Sequence, residues 1–168
     1  IIIGQKVIYI NEIYNALGKA SVSSMTELIE SFEETTVDKI KNAISSNNFN
    51  YVSLNSIQLL APIPNPKRNI FCLGKNYVDH VKEIKRTKIS GTGIPEYPIY
   101  FTKVASPAIG SGDFIKFSSK VTTQVDYEVE LAVVIGKEGM NIKPENAEEY
   151  IFGYTIVNDV SARDLQGK

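Results

Sequence analysis

The sequence predicts a mixed α+β protein, mainly β, with a small N-terminal α/β domain followed by a larger region of strands. Apolar residues between positions 25 and 44 recur at helical spacing, whereas the apolar runs after position 66 have the length and alternation of strands. Between these regions, residues 59–66 hold three prolines in five positions, and proline cannot donate to the ladder of a sheet. We therefore predict domains over residues 1–65 and 66–168.

The N-terminal domain is predicted to begin with a strand over residues 1–10 and to continue with two helices. Ser24 and Glu27 form a capping box, in which a hydroxyl and a carboxylate satisfy free backbone N–H groups at the start of a helix. The apolar residues of that helix share one face: Met25, Leu28, Ile29 and Phe32. The second, shorter helix carries Val37, Ile40 and Ile44.

The second domain is predicted to consist of strands, with one short helix and one polar segment. The strands are expected over residues 69–73, 97–102, 114–117, 124–135 and 152–160. Pro144 suits the first turn of a helix that ends near Tyr150. Residues 79–93 predict a short polar helix with a glycine-containing exit, which is typical of a lid over a site.

Composition excludes several classes of function. The chain has 168 residues and a formal net charge of −1, which gives no electrostatic reason to expect nucleic acid or an anionic membrane as a partner. No apolar run approaches the roughly 18 residues that span a bilayer. A single cysteine excludes an internal disulfide and fits a reducing compartment. We expect a cytoplasmic protein.

An acidic strand is the first candidate site. In a strand, Asp126, Glu128 and Glu130 share one face at a spacing of about 6.6 Å, and a cation between two of them would relieve the repulsion of like charges. A hard ion such as Mg²⁺ prefers such oxygens. The opposite face, Val125 to Ile135, has the pattern of a core. A solvated strand face and basic partners from a neighbouring strand are the alternatives. The face turns apolar at Ala132, however, which predicts burial on both sides beyond Glu130.

A second carboxylate element follows the next apolar strand. Asp159 ends that strand, and it either joins the acidic site or caps a helix predicted to start just after it. Arg163 and Gln166 are three residues apart and would share a helix face, where they could hold a substrate carboxylate. A surface salt bridge of Arg163, with Asp164 or Glu149, is the alternative.

The only histidine is His80, and it is predicted to lie on the same helix face as Glu83. A carboxylate at that distance can orient an imidazole and raise its basicity, so the two form a candidate general base. A surface histidine with no role is the alternative reading. Cys72 lies in an apolar strand and is predicted to be a small buried residue without a catalytic role.

Four linked motifs resemble those of the fumarylacetoacetate hydrolase family, in order and in spacing, over about residues 66–168. The matching stretches are residues 74–80, 98–103 with 106–107, 126–136 and 153–166. The resemblance implies a mixed β-roll for the catalytic domain and a homodimer. Residues 1–65 look like the variable N-terminal domain of many members.

The resemblance also implies a metal and a substrate class. Members bind Mg²⁺ or Mn²⁺ through two strand glutamates and an aspartate, which correspond here to Glu128, Glu130 and Asp159. They act on small-molecule 2-oxo acids. We expect hydrolysis of a C–C bond in an acylpyruvate, with oxaloacetate-type decarboxylation or tautomerisation, or isomerisation of a heptadienedioate, as alternatives on the same site.

Further residues take their roles from the same resemblance. His80 and Glu83 correspond to a lid pair that activates a water molecule. Arg163 and Gln166 match substrate contacts, and Lys103 matches a position near the substrate more loosely. Because the family domain continues beyond the last residue printed here, we expect this chain to be incomplete, and a non-catalytic fragment is the remaining alternative.

Overall fold

The computed structural model describes residues 1–79, 81, 93–104 and 107–166. The chain divides into two compact units, one formed by Ile1–Leu59 with Gly112–Lys168 and the other by Leu60–Ser111. These units group residues by packing and do not test the predicted domains, 1–65 and 66–168, which stay a prediction. Within the described part of the chain, no helix is both long and apolar enough to cross a membrane.

The N-terminal region combines a small sheet with three helices. Strands β1 (Ile2–Ile3), β2 (Lys6–Val7) and β3 (Val52–Ser53) form an antiparallel sheet in that order. Helices α1 (Ile10–Ala16), α2 (Met25–Glu30) and α3 (Thr36–Ser46) lie between β2 and β3 in the sequence.

The predicted strand over residues 1–10 is wrong in its extent. It is a hairpin, β1 and β2, that runs into helix α1, which the sequence did not predict. Gly4 has a φ of 58°, a conformation that glycine adopts without strain, and this allows the tight turn between the two short strands.

The capping box is confirmed. The Ser24 hydroxyl accepts the Glu27 N–H at 3.1 Å, and the Glu27 carboxylate accepts the Ser23 N–H at 2.6 Å. The helix nevertheless ends at Glu30, so Phe32 lies beyond it and packs its ring edge-on against Phe152, with 4.9 Å between ring centroids.

Apolar side chains from α1, from α3 and from the residue that follows β2 form the buried core of this region. Ile8, Ile13 and Ala43 are buried, and partly buried apolar residues pack against them: Leu17, Ile40, Ile44 and Phe49. Ile40 and Ile44 of α3 therefore face this core, as predicted, whereas Val37 of the same predicted face is exposed. Helix α3 is longer than α2, so the prediction that it is the shorter of the two is wrong.

The second compact unit contains one antiparallel hairpin. Strand β4 (Ile70–Gly74) pairs with β5 (Ile99–Lys103), and Cys72 lies opposite Phe101. Cys72 is half-buried, so the prediction of a fully buried residue is wrong.

The remaining strands carry the acidic residues. Strand β6 (Val125–Asp126) pairs with β9 (Ser161–Ala162), and β7 (Val129–Ile135) pairs with β8 (Ile151–Asn158), all antiparallel. A short 3₁₀ helix, Pro144–Tyr150, joins β7 to β8. The strand predicted over residues 114–117 is not formed.

The burial of the two faces of the β7–β8 hairpin differs from the prediction. The face predicted as core is exposed: Tyr127 (72 %), Val129 (66 %), Leu131 (61 %), Val133 (47 %) and Ile135 (62 %). Residues on the acidic face are half-buried. The prediction of burial on both sides is therefore wrong, because among the described residues no layer packs against the apolar face.

Candidate metal and anion site

One register runs through both strand pairs, and it brings the predicted carboxylates to a common face. Asp126 lies opposite Ser161, and Val129 lies opposite Asn158, so Glu128 lies opposite Asp159. The Asp159 N–H donates to the Glu128 carbonyl at 2.7 Å. Directly opposed residues of an antiparallel pair have Cβ atoms about 5 Å apart on the same face, which suits two side chains that share a ligand.

The pairing is interrupted at the point where the site lies. The predicted single strand over residues 124–135 is split, because Tyr127 and Glu128 belong to neither β6 nor β7. The Glu128 N–H donates to the Asn158 side-chain oxygen at 3.1 Å. A side chain thus takes the ladder bond that a strand backbone would make, and Asn158 is a site residue that the sequence prediction missed.

Arg163 places a positive charge beside the carboxylates of this site. Its Nε donates to Asp126 at 3.0 Å, and its Nη1 contacts the Glu128 carboxylate and donates to the Gln166 side-chain oxygen at 3.0 Å. Partial burial lowers the pKa of Arg163, but the hydrogen bond to Asp126 and the charge of Glu128 raise the pKa above its usual value. The guanidinium is therefore a permanent positive charge on this face.

Asp126 serves as the anchor of this arginine. One of its oxygens accepts the Arg163 Nε–H, and the other accepts the Tyr127 N–H at 2.9 Å. The pair is diagonal across the β6–β9 ladder, a position from which long side chains reach each other.

A second contact fixes the turn that carries Arg163. The Thr122 hydroxyl, on a buried residue, donates to Asp164 at 2.5 Å, and the Thr123 N–H donates to the same carboxylate at 3.4 Å. The Arg163 N–H donates to the Gln124 carbonyl at 2.8 Å. The turn is thus tied to the chain just before β6, which keeps the guanidinium close to the acidic strand.

Two local alternatives from the sequence are wrong. The predicted helix after Asp159 is absent, because β9 and a turn follow, so Asp159 does not cap a helix. The ion-pair partners of Arg163 are Asp126 and Glu128 rather than Asp164 or Glu149. The alternative of a basic partner for the acidic face is thereby confirmed at these two carboxylates. Arg163 and Gln166 contact each other as predicted, but through a turn.

The donor chemistry of the site suits a hard divalent cation, although the ligands do not converge. Glu128, Glu130 and Asp159 offer carboxylate oxygens, the ligands that Mg²⁺ and Mn²⁺ prefer. In the described ranges, no three His, Cys, Asp or Glu side chains are placed closely enough to hold a metal ion. The Glu128 carboxylate instead contacts a cationic side chain, so this group attracts positive charge where a metal would bind.

The other predicted residues lie elsewhere. His80 and Glu83 fall outside the described residues. Lys103 ends β5 and is half-buried, in a different compact unit from Glu128. The roles predicted for these three residues stay predictions.

The sequence is similar to a known protein family and to two named proteins. A family model described as fumarylacetoacetate (FAA) hydrolase C-terminal matches residues 69–168. The chain is 54 % identical over 114 residues to the oxaloacetate tautomerase YisK of Bacillus subtilis, covering 68 % of this chain and 36 % of that protein. It is 42 % identical over 154 residues to the mitochondrial oxaloacetate tautomerase fahd2 of Xenopus laevis, covering 92 % and 45 %.

A solved structure shows the same fold. It is a fumarylacetoacetate hydrolase from the psychrophile Exiguobacterium antarcticum, with a TM-score of 0.59 and 39 % identity, and the match covers 85 % of this chain and 46 % of that one. This chain spans less than half the length of each of the three proteins.

Proposed function

The chain belongs to the fumarylacetoacetate hydrolase family, and we propose that the whole protein is a metal-dependent tautomerase of a small 2-oxo dicarboxylic acid of the oxaloacetate type. One observation carries the proposal: Glu128 lies opposite Asp159, beside the guanidinium of Arg163. Two carboxylates that could bind a metal ion therefore lie next to a guanidinium that could bind a substrate carboxylate. The two relatives named oxaloacetate tautomerases favour this reaction over the others of the family.

The residues that would hold the metal are Glu128, Glu130 and Asp159. When bound, Mg²⁺ or Mn²⁺ supplies a Lewis acid that polarises the 2-oxo group and makes the neighbouring C–H more acidic. Glu128 lies between β6 and β7, and Asp159 lies between β8 and β9. The backbone hydrogen bond between them fixes their relative position. This arrangement needs no nucleophile from the protein.

Arg163 and Gln166 would bind the carboxylate of the substrate. A guanidinium can hold a carboxylate by two parallel hydrogen bonds, and its planar fork also sets the orientation of that group. The Gln166 side chain already contacts Nη1 at 3.0 Å, which places an amide beside the guanidinium. Tautomerisation then moves a proton between C3 and the 2-oxo oxygen, and His80 with Glu83 are the proposed proton carriers.

Acylpyruvate hydrolysis is the second candidate. The spacing of His80 and Glu83 favours it, since a paired imidazole and carboxylate can activate water, and the Exiguobacterium protein is named a hydrolase. In that reaction water adds to the distal carbonyl, the C–C bond breaks, and a carboxylic acid and pyruvate are released. The homodimer also stays part of the proposal and is supported by the family resemblance.

A side-by-side assay of the whole protein tests the proposal. With Mn²⁺, conversion of enol to keto oxaloacetate, followed by the loss of enol absorbance, should exceed cleavage of an acylpyruvate. The variant Glu128→Gln should lose at least about a hundredfold in rate, because it removes a charged ligand of the metal. A tautomerase rate that EDTA leaves unchanged would contradict the proposal, and faster acylpyruvate cleavage would favour the hydrolase.

A further inference from the structure

The Glu128 carboxylate lies within reach of two competing cations. One is the Arg163 guanidinium, whose Nη1 contacts it. The other is the divalent ion of the proposed function, on which this inference rests. A divalent ion and a guanidinium that contact the same carboxylate repel each other, because like charges interact strongly at short distance in a partly buried site. A metal ion and Nη1 therefore do not share this carboxylate at low cost.

The two ends of the guanidinium have different partners. Nε is held by Asp126, whose other oxygen is occupied by the Tyr127 N–H. Nη1 is held by Glu128 and Gln166. Since Asp126 lies at the far end of the acidic row from Glu130, its bond to Nε can persist while Nη1 leaves Glu128.

We propose that Arg163 is an exchangeable counter-ion of Glu128, which a divalent cation displaces and which is thereby released to bind the substrate carboxylate. Before the ion binds, Nη1 compensates the charge of Glu128. After it binds, Asp126 retains Nε, and Nη1 with Gln166 faces the substrate. The order of binding is therefore fixed: the metal binds first and the substrate anion second.

The partial burial of the Glu128 side chain supports an exchange of its positively charged partner. The side chains of Arg163 and Glu128 are 26 % and 21 % exposed, whereas that of Asp126 is 46 % exposed. A half-buried carboxylate needs a positive partner more than an exposed one does, because it has lost part of its hydration. Glu128 is thus paired with one cation or the other.

The first measurement is Mn²⁺ affinity by titration calorimetry. The variant Arg163→Gln removes the competing cation, so it should bind Mn²⁺ about tenfold more tightly than the unmodified protein. The matched control is Lys137→Gln, which also removes one positive charge but lies beyond the opposite end of β7 from Glu128, roughly 30 Å away at the rise of an extended chain. Its affinity should stay within about twofold, because salt screens charges at that distance.

The second measurement is thermal stability with EDTA and with saturating Mn²⁺. Arg163→Gln should melt below the unmodified protein in EDTA, and the difference should shrink or vanish in Mn²⁺, because the metal then compensates Glu128. An equal loss in both conditions would show a merely structural arginine and overturn the inference. If Arg163→Gln does not fold, Arg163→Lys serves, and it should bind Mn²⁺ more tightly than the unmodified protein, because an ammonium group lacks the planar fork that pairs with a carboxylate. Equal affinity would overturn the inference.

The outcomes separate this inference from the proposed function. Mn²⁺ that binds the unmodified protein and Arg163→Gln equally well would refute the exchange while leaving the metal site intact. Absence of Mn²⁺ binding in the unmodified protein would refute both.

Discussion

The N-terminal helical region and the β7–β8 hairpin treat their apolar residues in opposite ways. In the first, Ile8 and Ile13 are fully buried beside α3. In the second, Leu131 is 61 % and Ile156 is 74 % exposed, although the alternation of β7 is as regular as a core strand requires. Alternation therefore identifies which face of a strand is apolar, whereas a second packed layer decides whether that face is buried.

The residues that form the buried core and the residues proposed to bind the metal lie in different regions. The buried core lies in a region with no predicted site residue. The proposed metal ligands lie on the β7–β8 hairpin or directly beside its open end, and the other face of that hairpin is open to solvent. Next to the hairpin, around β6 and β9, the site geometry is held by polar contacts, such as those of Thr122 with Asp164 and of Arg163 with Asp126.

The largest expected effect is on the core. Ile13→Ala should lower the free energy of unfolding by about 2–5 kcal/mol, because it removes buried methyl groups and leaves a cavity. Urea unfolding monitored by circular dichroism measures this. A change below about 0.5 kcal/mol, typical of an exposed site, would show that the helical region is not the stabilising core.

The same substitution on the hairpin should have a small effect. Ile156→Ala in this chain should cost less than about 1 kcal/mol, the scale of β-propensity alone, since Ile156 is 74 % exposed. Both substitutions remove the same atoms, so the two costs can be compared directly. A cost equal to that of Ile13→Ala would break the comparison, because it would show that another layer covers the hairpin face.

The sequence predicted those features that depend on neighbouring residues. Ser24 and Glu27 are three residues apart, so their capping box needs no tertiary information. The acidic strand and the strand that ends near Asp159 were also predictable from local pattern. Family membership followed from motifs whose order and spacing are visible in the chain.

Features that depend on pairing across strands were not predictable in this way. The partners of Arg163 follow from the register of β6 with β9, and that register is set by residues more than 30 positions apart. The break at Glu128 depends on the side chain of Asn158, which no rule of alternation includes. The prediction that both faces of the hairpin are buried was wrong for a similar reason. Burial depends on what packs against the sheet.

Mn²⁺ titration of the unmodified protein and of Glu130→Gln is the most direct test of a metal site on the acidic face. The matched control is Asp38→Asn, which removes one carboxylate from the exposed surface of α3. We predict one Mn²⁺ ion per chain in the unmodified protein and in Asp38→Asn. In Glu130→Gln the affinity should fall at least about a hundredfold, because a charged ligand is replaced by a neutral one. Equal affinity in all three proteins would contradict a metal site on the acidic face.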